Sequence, residues 1–193
     1  MNEQQEDRIT ITDELCEGLA DWKYLIQHLA SHPTHVQQLC TQPAHFIGYS
    51  NACKLGAGGV LCRGTKSLYP VVWQLRWTPD IINRVKSSNN PDGDLSINDL
   101  ELAGLVLNWL VLESLGVNLQ HAHVALFCDN SSAVSWSYKL RTSTSIVAGK
   151  LLRLLGLRIH TAQASNITPL SIPGKENDMA DICVQGWEVL SCC

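Results

Sequence analysis

Apolar residues recur first at helical spacing and then in short runs typical of β-strands. A first amphipathic helix is predicted from Thr12 to about Ser31. Its apolar positions are Leu15, Leu19, Trp22, Leu25, Ile26 and Leu29. A short second helix is predicted at 35–40, and residues 1–9 are expected to be frayed. The amino-terminal part of the chain is therefore predicted to be helical.

Three strand-like segments follow. Residues 45–50 and 57–63 are predicted strands around a Gly-rich turn, Gly56 to Gly59. Residues 68–75 predict a third strand, in which Pro70 favours a sheet edge or a strand start because proline cannot donate a ladder hydrogen bond. Strands joined so closely predict an antiparallel meander.

A long buried helix is predicted after the polar stretch 79–95, in which the sequence NNPDGD at 89–94 is a predicted loop. Ser96 has the character of an N-cap, with Asp99 three residues later. The helix 97–115 is apolar on most faces and is expected to be deeply packed, and Gly116 ends it.

The second half of the chain alternates strands and helices. Strands are predicted at 122–128 and 167–172, and helices at 131–139, 144–157 and 176–186. Together with the meander, this order predicts an α/β domain with a mixed five-stranded sheet: three antiparallel strands, then parallel strands, flanked by helices.

Composition limits the class of protein. The 193 residues are 45% hydrophobic and 17% charged, which predicts one well-packed domain, or one such domain with an extension. The eight cysteines form no C-x-x-C pair, and no histidine spacing matches a zinc motif. The amino terminus is acidic and polar, unlike a signal peptide, and no apolar run reaches the ~18 residues of a membrane span. We therefore expect a reducing intracellular location, with no membrane partner.

Charge is unevenly distributed along the chain. The net charge is −4, and the whole acidic excess lies in residues 1–44, which hold seven acids and two bases, whereas residues 45–193 hold eleven acids and twelve bases. No acid occurs between Asp129 and Glu176. The bases of that stretch include Lys139, Arg141, Lys150, Arg153 and Arg158. A basic surface beside an acidic cluster suits a polyanion that is handled with metal ions, although a solvated helix face explains these bases equally well.

Three acids stand in unusual settings. Glu101 lies within an apolar helix, where an isolated carboxylate is costly to bury. Asp129 stands where a buried strand ends and a helix begins, a place where ligands gather in α/β sheets but where simple helix capping is also common. Asp181 and Asp178, one turn earlier, are alternative candidates for the same functional position, and each alone resembles a surface acid.

Four motifs in order resemble the ribonuclease H domain of retroelement polyproteins. The first is Tyr49-Ser50-Asn51-Ala52-Cys53, followed by a Gly-rich segment, and the second is Glu101-Leu102-Ala103. The third is Asp129-Asn130-Ser131-Ser132-Ala133-Val134. The fourth comprises Pro173, Gly174, Asn177, Ala180 and Asp181. The resemblance covers about residues 45–187 and implies a ribonuclease H-like fold; it favours Asp181 over Asp178.

The resemblance also implies a catalytic and metal-binding set of Asn51, Glu101, Asp129 and Asp181, with two Mg²⁺ ions or Mn²⁺ as a substitute. Two departures stand out. Asn51 occupies the position of an aspartate that bridges both metals in the family, and Ser171 occupies the position of a frequent histidine. An asparagine keeps one carbonyl oxygen but carries no charge, so impaired turnover is expected. Both an engineered change and a natural loss are compatible with the sequence.

The expected function is an endonuclease that cuts the RNA strand of RNA–DNA hybrids during reverse transcription, here in an impaired form. A reverse transcriptase domain, covalent or not, is the implied protein partner. Residues 1–44 are expected to form a helical extension, and 45–190 the ribonuclease H-like domain. The extension is either a helical hairpin packed on the domain or, as the resemblance implies, the connection to the polymerase. The candidate nucleic-acid contacts are Asn130, Ser131, Ser132, Lys139, Arg141, Lys150, Arg153 and Arg158.

Two alternatives remain. In the first, the domain would be a non-catalytic module that binds nucleic acid or braces a polymerase. Asn51 and Ser171 favour this alternative, and the three retained acids oppose it. Otherwise it is another nuclease or an integrase on the same fold, because fold does not fix function. The Gly-rich hairpin and the final Ala180-Asp181 pair favour ribonuclease H over an integrase.

Overall fold

The computed structural model describes residues 10–31, 43–64, 70–142, 144–164 and 166–189, with the side chains from 185 onward excepted. The chain forms two compact units, residues 1–39 and 40–193. The predicted frayed end at 1–9 and the short helix at 35–40 lie outside the described residues. The predicted boundary between residues 44 and 45 stays a prediction.

The first unit contains helix α1, Asp13–Ser31, close to its predicted limits. Every residue of this helix is at least partly exposed. Leu19, Trp22 and Ile26 are more than half exposed, at 58%, 65% and 62%. No helix of the described residues has both the length and the apolar character needed to cross a bilayer.

The second unit is built on a mixed five-stranded sheet, as predicted. Its strands are β1 Phe46–Ala52, β2 Gly56–Arg63, β3 Val71–Arg76, β4 His123–Cys128 and β5 Asn166–Ser171. Their order across the sheet is β3-β2-β1-β4-β5. The pairs β1–β2 and β2–β3 are antiparallel, whereas β1–β4 and β4–β5 are parallel. Strand β3 begins directly after Pro70 at the sheet edge, in agreement with the limits on proline.

Helices connect and cover these strands. They are α2 Pro79–Arg84, α3 Ile97–Ser114, α4 Ser131–Lys139, α5 Ile146–Thr161 and α6 Asp178–Val189, with a 3₁₀ turn at Gly174–Glu176 before α6. The predicted capping box of α3 is present, because the Ser96 hydroxyl accepts from the Asp99 N–H and the Asp99 carboxylate accepts from the Ser96 N–H. Gly116, at φ 65°, follows the helix end.

Two sequence predictions need correction. The glycines of 56–59 lie in strand β2, and the turn is made by residues 53–55. A Cβ on Gly58 would lie 2.7 Å from the Cβ of Cys183, so the glycine allows α6 to pack closely on the strand. The polar stretch 79–95 contains a short helix that was not predicted from the sequence, α2, which Pro79 begins as a first-turn proline. The predicted loop at 89–94 lies outside this helix.

The core lies between α3 and the sheet. Leu102, Leu105 and Trp109 of α3 have no exposed surface. The polar side chain of Asn108 on this helix is also buried, and it accepts a hydrogen bond from the Trp73 indole at 2.8 Å. This bond satisfies the indole N–H of a strand residue and ties α3 to β3. Helix α3 is thereby fixed in place, and with it the position of Glu101.

Candidate metal centre and nucleic-acid interface

The candidate site lies at the carboxyl ends of the central parallel strands, β1 and β4, and this end of the sheet is called its carboxyl edge below. Strands β1 and β4 pair in parallel, so their carboxyl ends meet at the same edge. Asn51 is the penultimate residue of β1, and Asp129 directly follows β4. Ser171 ends β5 and pairs with Cys128 in the register, so it reaches this edge as well. This is the usual place for ligands in α/β sheets.

Glu101 approaches this edge from the second turn of α3 and is only 6% exposed. Desolvation by burial raises the pKa of its carboxyl from 4.5 to about 8, and the nearby charges of Asp129 and Asp181 add to the rise. The Cys128 thiol donates to Glu101 Oε2 at 3.7 Å. A hydrogen bond from the Ala52 backbone acts in the opposite direction and favours the ionised carboxylate.

Asp129 is the second acid of the group. Burial raises the pKa of its carboxyl, and the charge of Asp181 raises it further. One ligand atom each from Glu101, Cys128 and Asp129 lie within 4.8 Å of one another. A Cβ on Gly174 would stand 3.2 Å from Asp129 Oδ2, which explains why a glycine fits at that position of the fourth motif.

Asp181 reaches the site from the first turn of α6. Asn177, just before the helix, is 1% exposed and donates from Nδ2 to the Ser50 carbonyl at 3.0 Å. Its own carbonyl accepts the Asp181 N–H at 3.0 Å. Asn177 thus fixes the start of α6 beside the end of β1. Asp178, the competing acid, is exposed.

Asn51 is hydrogen-bonded through both ends of its amide. Its Nδ2 donates to Asp181 Oδ1 through a short contact. Its Oδ1 accepts from the Ala52 N–H at 2.7 Å. The amide therefore holds Asp181 against the strand. An aspartate at position 51 has no N–H to donate and would repel Asp181 unless a cation lay between them.

These residues suit a hard divalent cation. Carboxylate oxygens are the ligands that Mg²⁺ prefers. A carboxyl group as buried as that of Glu101 resists ionisation, and a nearby cation reverses that preference. The carboxylates of Glu101, Asp129 and Asp181 can supply the charged oxygen ligands that such a cation needs, whereas the amide of Asn51 supplies no charge.

The predicted nucleic-acid contacts fall into two groups. Asn130 is the N-cap of α4, where its Oδ1 accepts the Ala133 N–H at 3.0 Å and its Nδ2 donates to Asn98 Oδ1 at 2.8 Å. Ser131 is exposed and Ser132 half-buried beside it. The structure therefore places these polar residues next to Asp129.

The bases form the second group. Lys139 and Arg141 flank the end of α4, and both are exposed. Lys150, Arg153 and Arg158 are exposed on α5. Arg158 pairs with Glu113 of α3 at 3.4 Å, so part of its charge is compensated. Lys139 and Arg141 border a depression that Trp136 also lines.

An open groove of about 770 Å³ extends from the start of α3 to the start of α5. Its lining includes Asn98, Ser132, Trp136, Thr144 and Ser145. Sequence reasoning missed all of these except Ser132, because their approach depends on the packing of α3, α4 and α5. It also missed Cys128 as a neighbour of Glu101, although its place before Asp129 was a usable signal.

No protein-family model matches the sequence, and no curated protein matches it. Solved structures do match. The LC11 ribonuclease H1, isolated from compost by a metagenomic approach, is 14% identical, with a TM-score of 0.54 over 79% of this chain and 100% of that one. The ribonuclease H1 of Halobacterium salinarum is 13% identical, with a TM-score of 0.51 over 77% and 98%. The chain thus has a ribonuclease H-like fold, as expected.

A third match adds a ligand. The LC11 enzyme has also been solved in complex with an RNA/DNA hybrid; that structure is 14% identical to this chain, with a TM-score of 0.50 over 73% of this chain and 94% of that one.

Proposed function

We propose that this protein is a metal-dependent endonuclease of the ribonuclease H type, which hydrolyses the RNA strand of RNA–DNA hybrids during reverse transcription of a retroelement. We further propose that Asn51 impairs it. One observation carries the proposal: the buried carboxyl of Glu101 lies beside Asp129 at the carboxyl edge of the central strands, with Asp181 close enough to raise the pKa of both. Acids kept together at such a cost are typical of a cation site.

Similarity of fold supports this reading. The LC11 ribonuclease H1 has the same fold and was solved with an RNA/DNA hybrid. Identity near 14% supports the fold alone, so the reaction rests on the residues of the site.

Glu101, Asp129 and Asp181 would hold the cation. When bound, two Mg²⁺ ions, or Mn²⁺ as a substitute, supply positive charge for an in-line phosphodiester displacement. Asn51 leaves the site one negative charge short, and its amide keeps Asp181 hydrogen-bonded. Ser171, in place of a histidine, has no imidazole to move a proton, so solvent would carry that step.

The hybrid would lie across the face that carries Asn130, Ser131 and Ser132. These polar groups suit the 2′-hydroxyls of the RNA minor groove. Lys139, Arg141, Lys150, Arg153 and Arg158 would contact phosphates, which gives affinity with little sequence preference.

We propose residues 45–190 as the nuclease domain and 1–44 as a helical connection to a reverse transcriptase, covalent or not. The exposed apolar stripe of α1 supports a protein contact for that segment. An intracellular site of action, in cytoplasm, nucleus or a retroelement particle, follows from this proposal.

The test is restoration of the acid. Asn51→Asp should increase cleavage of labelled RNA in an RNA–DNA hybrid by orders of magnitude in magnesium, because it restores the missing charge. Equal rates for the two proteins would refute the role assigned to position 51.

A second candidate is a binding module that does not cleave. The hydrogen bond from Asn51 to Asp181 favours it, because the amide is integrated into the metal-free site. This reading predicts that Asn51→Asp binds hybrid but still cleaves nothing, with magnesium or manganese present.

A further inference from the structure

Cys128 lies among the carboxylates of the candidate site, and the proposed nuclease reaction does not use it. It ends strand β4, one residue before Asp129, and has no exposed surface. Its Sγ accepts from the Asn130 N–H at 3.4 Å and donates to Glu101 Oε2 at 3.7 Å. The thiol therefore contacts the same carboxylate that the candidate site would offer to a cation.

The spacing of these atoms fits one coordination sphere. In a tetrahedral site with a metal–sulfur bond of about 2.3 Å and a metal–oxygen bond of about 2.0 Å, sulfur and oxygen lie about 3.5 Å apart. The distance from Cys128 Sγ to Glu101 Oε2 is 3.7 Å. One oxygen of Asp129 lies within 4.8 Å of Cys128 Sγ and of one carboxylate oxygen of Glu101. Small side-chain shifts would complete a three-ligand set, with water or Asp181 as the fourth.

We propose that Cys128, Glu101 and Asp129 form a site for a thiophilic divalent cation of the Zn²⁺ or Cd²⁺ class. Binding forms a metal–sulfur bond, and the thiol proton leaves to solvent. Magnesium gains nothing from sulfur, whereas borderline and soft cations bind it strongly. Such a cation would occupy Glu101 and Asp129 and exclude magnesium. The inference rests on the proposed cation-binding face but not on hydrolysis.

The experiment uses Cd²⁺, because its bond to a thiolate absorbs in the near ultraviolet. Cys192 and Cys193 are both replaced by serine in a common background, since adjacent thiols bind Cd²⁺ themselves. Cd²⁺ titration of this protein should produce a thiolate absorption band. Cys128→Ser and Cys128→Ala should both weaken the band and lower the apparent Cd²⁺ affinity by at least about tenfold, the loss typical when even an outer partner of a metal ligand is removed.

Cys183→Ser is the matched control. Cys183 is also buried, but its thiol donates to the Met179 carbonyl at 3.1 Å and it is not among the three clustered groups. This variant should keep the band. Glu101→Gln should weaken Cd²⁺ binding, which a thiol acting alone would not show. Circular dichroism melting checks that each variant is folded.

Two results would overturn the inference: a band unchanged in both folded Cys128 variants, or a band that depends equally on Cys183. Its failure and that of the proposed function are separable. If Asn51→Asp cleaves the hybrid but the Cd²⁺ band does not depend on Cys128, only the proposal of a thiophilic site is refuted. If Asn51→Asp does not cleave the hybrid but the band depends on Cys128, the proposed nuclease function is refuted and the thiophilic site is supported.

Discussion

Glu101 shows how one residue links burial to function. It is an acid on a helix whose neighbouring side chains are apolar, and the fold keeps it 6% exposed. Its pKa of about 8 means that the proton is retained at neutral pH in the absence of a cation. When it ionises, Glu101 therefore destabilises the metal-free fold, and a cation bound at the proposed site would offset that cost.

This pKa predicts how stability depends on pH. Because the folded pKa of about 8 exceeds the ordinary 4.5, the contribution of Glu101 is full below pH 4.5 and is lost as pH rises through 8. Glu101→Gln should remove that loss, so at pH 8.5 without metal it should be the more stable protein, by on the order of a few kcal/mol at most. Urea unfolding at pH 6 and 8.5 measures this. A variant less stable at both values would make Glu101 a structural acid.

Loss of an acid at the candidate site should affect activity, whereas loss of the neighbouring Asp178 should not. In the Asn51→Asp background, Glu101→Gln, Asp129→Asn or Asp181→Asn should each abolish hybrid cleavage without unfolding the domain, because one metal ligand is lost. The exposed Asp178 is the control, and Asp178→Asn should keep activity. Cleavage assays are read beside melting curves with and without magnesium. Activity lost with Asp178→Asn and retained with Asp181→Asn would move the site by one helical turn.

At the scale of elements, α6 depends on Asn177. The helix carries Asp181 but is joined to the sheet across a long sequence separation by the hydrogen bond from Asn177 to the Ser50 carbonyl. Gly58 completes the fit, because only a residue without Cβ leaves room for Cys183. The contacts that pack α6 on the sheet therefore also set the position of Asp181.

Asn177→Ala tests this dependence. Loss of the buried hydrogen bond should destabilise the protein by about 1–3 kcal/mol, because the Ser50 carbonyl loses its side-chain donor. In the Asn51→Asp background it should also lower the cleavage rate, since Asp181 is less firmly held. Chemical denaturation and rate assays measure the two effects. The capping variant Ser96→Ala, costing about 1 kcal/mol, is the comparison for stability loss elsewhere. An equal rate loss for both would mean that general stability alone is responsible.

For the whole molecule, the distribution of charge matters more than its total. The chain has a net charge of −4, yet between Asp129 and Glu176 every charged residue is a base. The fold places several of them at the end of α4 and along α5, and Asn98 and Ser132 line the nearby groove. An acidic protein can therefore present a basic face to a hybrid.

Hybrid binding should therefore weaken steeply with salt. Replacing both Lys139 and Arg141 with alanine should weaken binding and reduce the slope of log affinity against log salt by up to about 2, because up to two phosphate contacts are lost. Fluorescence anisotropy at several salt concentrations measures this. Arg63→Ala is the control for charge, because Arg63 is exposed at the end of β2 and pairs with Phe46 at the start of β1, away from the carboxyl edge. An unchanged slope in the double variant would place the binding surface elsewhere.

Much of the fold could be predicted because local patterns and packing agree. The capping box at Ser96, the end of α3 near Gly116 and the strand before Asp129 each depend on neighbours in the chain. The glycines of 56–59 were misplaced for the opposite reason. Glycine favours turns locally, but here Cys183, far along the chain, requires it within a strand.

The sequence by itself determined the order of elements, the mixed sheet and the acids that stand out against apolar surroundings, because periodicity, capping and the cost of a buried charge are local properties. Tertiary structure alone decided which groups meet. It brought Asn51 to Asp181, Cys128 to Glu101 and Asn177 to Ser50. Such contacts depend on where separate elements pack, and the local pattern of hydrophobic and polar residues does not encode a distance between two side chains far apart in the chain.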